Sequence, residues 1–296
     1  MPDRRSATAT TAGILRPEEF ARHVQLTRRE PAPDLARWVE NHWRLRWSLP
    51  PGRTFPSQVL PHPTCNLTVE RGSPRAGVGA ERVLVTGVTT ERFDVATTGE
   101  GWVWGVRFRP GGLAALLGSS VRPLTDRTVA ASALLPARTV GVLGRLHAGL
   151  GDEQAADLAT EGLRHAAAGR VTQGDAAYDE VIALVEALLA DRSLVRVQQV
   201  VEQLGVPRRR LERLFSHHLG VTPKWVLARY RMHDVVSDLD DGYDGSLADL
   251  AVRYGWYDQA HFGRDFAALV GTTPGAYRAQ RADSAFTGGA QAGGAG

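Results

Sequence analysis

Two arginines, Arg213 and Arg264, stand 51 residues apart in closely matched surroundings. The first lies in Leu211-Glu212-Arg213-Leu214-Phe215, followed after four residues by Gly220-Val221-Thr222-Pro223. The second lies in Phe262-Gly263-Arg264-Asp265-Phe266, followed after four residues by Gly271-Thr272-Thr273-Pro274. A guanidinium on an exposed helix face can donate two parallel hydrogen bonds to guanine O6 and N7. Beside Arg213 stand Arg208, Arg209 and Glu212, and a glutamate can accept from cytosine N4. Beside Arg264 stand Gln259, Ala260 and Gly263, and a glutamine suits adenine N6 and N7. The chemistry on offer is the reading of base edges, at two places.

Helices must position these side chains. Val197, Val200, Val201 and Leu204 share one helical face, and Gly205 permits the positive φ of a tight turn. Pro207 then opens a second helix whose inner stripe is Leu211, Leu214, Phe215 and Leu219. Leu247, Leu250 and Ala251, the turn at Gly255-Trp256, and the stripe Phe262, Phe266 and Leu269 repeat the arrangement. A short helix, a glycine turn and a second helix with an exposed arginine is a helix-turn-helix pattern. The repetition means one supersecondary unit was used twice. Thr222-Pro223, Thr273-Pro274 and Ser246 with Asp249 read as helix starts. A helix start offers free N–H groups to phosphate, so Lys224 and Trp225, with Arg208, are the candidate backbone contacts. The helix over 224–239 that joins the units spans roughly 24 Å. With its turns it can set two recognition helices about 34 Å apart, one turn of duplex.

The formal net charge of +3 is modest. Its distribution says more: residues 192–231 carry a net +7, whereas 234–249 hold six aspartates and no base. A local basic block is the electrostatic footprint of a phosphate-facing surface. At 296 residues, 43% apolar and 23% charged, the chain has room for two globular domains. No apolar run reaches the roughly 18 residues that span a bilayer. The start Met1-Pro2-Asp3-Arg4-Arg5 lacks the apolar core of a secretory signal. The single cysteine, Cys65, excludes an intrachain disulfide and clustered-thiolate zinc. These features predict a cytoplasmic protein with no membrane partner, no metal and no cofactor. A Cys65–His62 nucleophile and base is the enzymatic alternative, although a lone cysteine beside a strand is more often a small buried hydrophobe. His42 and His62 lack a third clustered ligand for a metal.

The remaining elements divide the chain. Residues 1–16 and 282–296 read as disordered tails. Short β-branched or aromatic runs at 38–47, 66–70, 82–86, 92–96 and 102–109, separated by Gly, Pro and Ser, predict strands of a small barrel or sandwich. Helices follow at 113–117, 140–150 and 152–168, and 169–175 reads as a linker. The fold expected is therefore α+β. A small β-barrel-like (cupin-like) domain with helices, at 17–172, precedes an all-α domain at 173–281 of two helix-turn-helix units joined by a long helix. Trp43, Trp102 and Trp104 could line an effector pocket or simply fill the barrel. Arg107 and Arg109 could hold an anionic effector or support the junction with the next helix.

Residues 178–281 resemble the DNA-binding domain of AraC/XylS-type transcription regulators. The most specific stretch is Gly255-Trp256-Tyr257-Asp258-Gln259-Ala260-His261-Phe262-Gly263-Arg264-Asp265-Phe266, continuing through Gly271-Thr272-Thr273-Pro274-Gly275-Ala276-Tyr277-Arg278. The resemblance implies base readers at Arg209, Glu212 and Arg213 in the first unit, and at Gln259, Ala260, Gly263 and Arg264 in the second. Trp38-Val39-Glu40-Asn41-His42-Trp43, Val59-Leu60-Pro61-His62-Pro63, Gly105-Val106-Arg107-Phe108-Arg109-Pro110-Gly111-Gly112-Leu113 and Leu124-Thr125-Asp126-Arg127 resemble an N-terminal domain fused to such regulators in actinobacteria. That resemblance implies a β-rich sensing or dimerising module. The expectation is a sequence-specific regulator that is not an enzyme. Its partner is double-stranded DNA, with a small-molecule effector, RNA polymerase and a second copy as further candidates. The competing expectation is a DNA-repair or adaptive-response enzyme built on the same DNA-binding module.

Overall fold

The computed structural model describes residues 13–72, 78, 80–168 and 175–281. Residues 1–12 of the first expected tail, the whole second tail and most of the expected linker lie outside these residues; residues 13–16, expected in the first tail, are ordered, with Ile14 bridged to Val59 and Leu15 buried. The first half opens with helix α1 (Pro17–His23). It continues through strands β1 (Val24–Arg29), β2 (Val39–Ser48), β3 (Thr54–Val59), β4 (Asn66–Arg71), β5 (Val83–Thr86), β6 (Phe93–Thr98) and β7 (Glu100–Phe108). Helix α2 (Gly112–Leu117), strand β8 (Thr128–Ala130) and helices α3 (Ala137–Leu143) and α4 (Asp152–Ala167) complete it. Helices α5 (Ala176–Ala190), α6 (Val197–Leu204), α7 (Arg208–His218), α8 (Pro223–Asp240), α9 (Leu247–Arg253) and α10 (Gln259–Val270) follow, with a last helix from 274 to 281.

Six strands form one antiparallel sheet in the order β1-β2-β7-β4-β5-β8, and β3 pairs with β6 as a second sheet. The expected β-rich, barrel-like domain is present, but among the described residues its two sheets do not close into a barrel. The large sheet ends at β1 and β8, and β3 carries Pro56, which has no N–H to give a further strand. Strand alternation gives the large sheet two unlike faces. On β7, Trp102, Trp104, Val106 and Phe108 point into the main core with Leu67, Val69 and Val85. Arg107 and Val103 point the other way, into a cavity under the small sheet. Gly105, also on that side, lets the Trp43 ring lie across it: a Cβ there would meet the indole at 2.0 Å.

The strands at β1, β3 and β8 carry weak sequence signals. β1 follows directly on α1, and β3 contains a proline. The helix expected at 140–150 instead runs Ala137–Leu143 and closes at Gly144. Glycines at 144, 149 and 151 remove its propensity beyond that point.

One hydrophobic cluster runs from the sheet through Leu113, Leu116 and Leu163 into Tyr178, Val181, Leu211 and Phe215. The first helix-turn-helix unit thus shares a core with the first half of the chain. A second cluster holds Phe262, Phe266, Val235 and Leu239 together with Leu15 and Leu60 from the first half. Hydrogen bonds seal the first of these contacts. The Tyr178 hydroxyl donates to the Arg37 carbonyl at 2.8 Å, and the Val121 amide to the His217 carbonyl at 3.0 Å.

Candidate nucleic-acid interface

Helix α6 ends at Gly205, φ 65°, and Pro207 turns the chain into α7. Val200 behind the turn and Leu211, Leu214 and Phe215 in α7 are buried. Their burial directs Arg208, Arg209, Glu212 and Arg213 outward, all four exposed. Arg208 Nε donates to Glu212 Oε1 at 2.9 Å, one turn along the helix. Arg210 does not join this face; its guanidinium forks onto Glu180 of α5. Arg209 and Arg213 have no ion pair or hydrogen bond among the described residues. Arg213 also borders a crevice lined by Ala114, Gly118 and His217.

The second unit repeats this with fewer side chains. Asp258 accepts from the His261 amide at 2.6 Å and starts α10. Phe262, Phe266 and Leu269 are buried, so Gln259, Ala260 and Arg264 are exposed beside half-buried Gly263. A Cβ built on Gly263 would meet nothing within 4 Å, which leaves that part of the face bare. His261 lies 3.3 Å from Asp265. Tyr257, just before the cap, is 90% exposed. It was not among the expected contacts; an aromatic between the inner Trp256 and the capping Asp258 was the available signal.

Helix α8 joins the units. The Thr222 hydroxyl accepts from the Trp225 amide at 3.2 Å, so that N–H is occupied by the cap. The Trp225 indole is half-buried beneath the Arg229 guanidinium, 4.7 Å from its ring centre. Lys224 is exposed and without a partner among the described residues. Thr273 caps the last helix through the Ala276 amide at 3.2 Å. Ser246 accepts from the Ala248 amide at 3.1 Å. At the start of α6, where Arg196 offers no capping side chain, Gln199 Oε1 accepts from the Arg196 amide at 2.9 Å.

The cavity between the two sheets has a volume of about 570 Å³. Trp43 and Arg107, two of the residues expected around an effector, line it. Trp102 and Trp104 do not: they sit on the opposite face of β7, in the core, and strand alternation makes the two pairs exclusive. Arg109 does not line the cavity and donates to the Ala36 carbonyl at 2.7 Å. Arg28, on the unforeseen strand β1, also lines the cavity. Cys65 is buried, and burial pushes its thiol up to about 12. His42 is buried in the core face with neither ring nitrogen hydrogen-bonded, and desolvation holds it down at about 4. Among the described residues no cluster of three metal-ligating side chains occurs.

Residues 27–130 match the family model described as a domain of unknown function (DUF6597), and residues 200–280 match a helix-turn-helix domain. The chain is 25% identical over 100 residues to the probable transcription factor PqrA of Proteus vulgaris, covering 34% of this chain and 81% of that protein. Among solved structures it is similar to ToxT from Vibrio cholerae, with a TM-score of 0.39 and 13% identity, over 86% of this chain and 98% of that one.

Proposed function

We propose that this chain, which carries an AraC-type helix-turn-helix domain behind a domain of unknown function, is a sequence-specific transcription regulator. The observation that carries the reading is the paired units with unpartnered arginines on their exposed helices, Arg209 and Arg213 on α7 and Arg264 on α10. Each is free to enter a major groove without first breaking an ion pair. Lys224 would contact phosphate at the start of α8, with Arg208 and Trp225 beside it, and the exposed ring of Tyr257 would border the second groove. Gln259 and Arg264 would give the second unit its sequence reading, while Ala260 and Gly263 admit the DNA closely and specify little. The site of action would be the cytoplasm.

The half of the chain before α5 would control the reading half through the cavity, by ligand binding. Its shared core with the first unit and its contacts to the second give any change in the cavity a short route to both. The repair-enzyme alternative requires a reactive thiolate, and the buried Cys65 thiol is shifted away from that state.

Fluorescence anisotropy of the full chain against its own upstream DNA and a scrambled duplex, at two salt concentrations, tests this. Tight binding to the upstream DNA that survives higher salt is expected. Equal and equally salt-sensitive binding to both duplexes would reduce the chain to a non-specific DNA binder.

A further inference from the structure

The cavity is polarised along its strands. Register places Val24 opposite Trp47 and Leu26 opposite Leu45, and Leu45 in turn opposite Val103. These residues, with Phe20, make one apolar end. Further along, Asn41 and Asn66 both stand opposite Arg107, and Arg28 is two residues on from Leu26. With Thr64 and His62 they make the other end polar.

The charge at that polar end is unbalanced. Arg107 Nε has only Thr64 Oγ1 at 3.3 Å and Glu40 Oε2 at 3.8 Å. Arg28 has no hydrogen bond or ion pair among the described residues. Of the acids that line the cavity itself, Glu70 accepts from the Thr68 hydroxyl at 2.6 Å and Asp94 is forked by Arg92. Two guanidiniums thus face one carboxylate, Glu40. His62, 6% exposed, has no partner at either ring nitrogen.

The same end touches the DNA-reading half. The His62 ring stacks on His233 of α8 with centroids 3.9 Å apart, and His233 Nε2 donates to the Pro61 carbonyl at 3.0 Å. The wall segment that supplies Thr89 and Asp94 also holds Thr90, whose carbonyl accepts from Arg229 of α8 at 3.1 Å. In the same segment Arg92 donates to the Val270 carbonyl at 2.7 Å, at the end of α10.

We propose that the cavity binds an amphipathic monoanion, a carboxylate on an apolar body. Its head would lie among Arg28, Arg107 and His62 and act on α8 through the His62–His233 stack. A volume of about 570 Å³ lies within the range of about 300–1,000 Å³ usual for small-molecule sites. The head supplies the missing negative charge and an acceptor for the Arg28 guanidinium. It also lies against the one cavity residue whose ring continues into the joining helix. The inference rests on the regulator reading above and names the effector class for it.

Calorimetric titration of the full chain with sodium decanoate, 1-decanol and decyltrimethylammonium separates head from tail. Decanoate is expected to bind at least tenfold more tightly than either. Arg28→Gln should remove that preference while leaving decanol binding unchanged, which also reports an intact cavity; Arg28→Lys should restore most of it. His233→Gln, outside the cavity lining, should bind decanoate within about threefold of the native chain yet abolish the decanoate-induced change in affinity for upstream DNA. Equal binding of decanol and decanoate, or no binding of decanoate, overturns the ligand class and leaves DNA recognition untouched. Loss of DNA specificity with decanoate binding intact instead overturns the regulator reading alone.

Discussion

Arg213 and Lys224 are exposed cations on successive helices, and the proposed function gives them different work. Arg213 projects from the middle of α7, held there by Leu214 and Phe215 packing behind it. Lys224 stands in the first turn of α8, where the helix dipole also favours phosphate. Arg213→Ala should cost about 1–3 kcal/mol on cognate DNA and relax preference at one base pair. Equal losses on cognate and scrambled duplexes would remove it from base reading. Lys224→Ala should weaken all duplexes alike and lower the salt slope by about 1, read from anisotropy at several salt concentrations. An unchanged slope would take it off the backbone.

At the scale of elements, β7 carries two jobs on alternate residues. Trp102, Trp104, Val106 and Phe108 fill the core, and Val103, Gly105 and Arg107 face the cavity. Gly105 is the residue that lets Trp43 form the cavity floor. Gly105→Val would place a Cβ about 2.0 Å from the Trp43 indole and force that ring off its rotamer. The expected cost is about 1–3 kcal/mol, with a lower melting temperature and lost cavity volume. A melting curve that matches the native chain would mean Trp43 can turn away freely. The helix-turn-helix elements are simpler. Each buries one stripe and each turns at a glycine, and Thr222, Ser246, Asp258 and Thr273 cap the starts of α8, α9, α10 and the last helix.

At the scale of the whole molecule, imidazoles kept neutral by burial tie stability to pH. His42 titrates at about 4 in the fold because desolvation penalises its charged form. In the unfolded chain it titrates near 6.5, so between those values the unfolded state takes up the proton. Its contribution is therefore complete above about pH 6.5 and is lost as pH falls towards 4. Between pH 7.5 and 5 the loss from His42 alone comes to about 2 kcal/mol. His62 is held well below its ordinary value by burial, then by His233, Arg107 and Arg28, and acts in the same direction. Urea midpoints at the two pH values measure this, and His42→Gln should flatten the dependence. A midpoint that does not move would mean that the core admits a charged His42.

The duplicated cassette alone determined the two reading units, their glycine turns and the outward set from Arg209 to Arg264. This is local information: a 3.6-residue period decides which side chains are buried, and the remainder must face out. Alternation alone put Arg107 and Trp104 of β7 on opposite sides of the sheet. Which side was cavity and which was core depended on what covers each face, and only the tertiary structure supplies that. Arg28 entered the cavity because β1 pairs with β2, and His62 met His233 across 171 positions of chain. Contacts between residues so distant in sequence are set by how the sheets and helices pack, which no local period encodes. The same holds for the open sheet in place of a barrel. Closure requires an edge-to-edge pairing of strands, and short, proline-bearing β3 offers no partner for it.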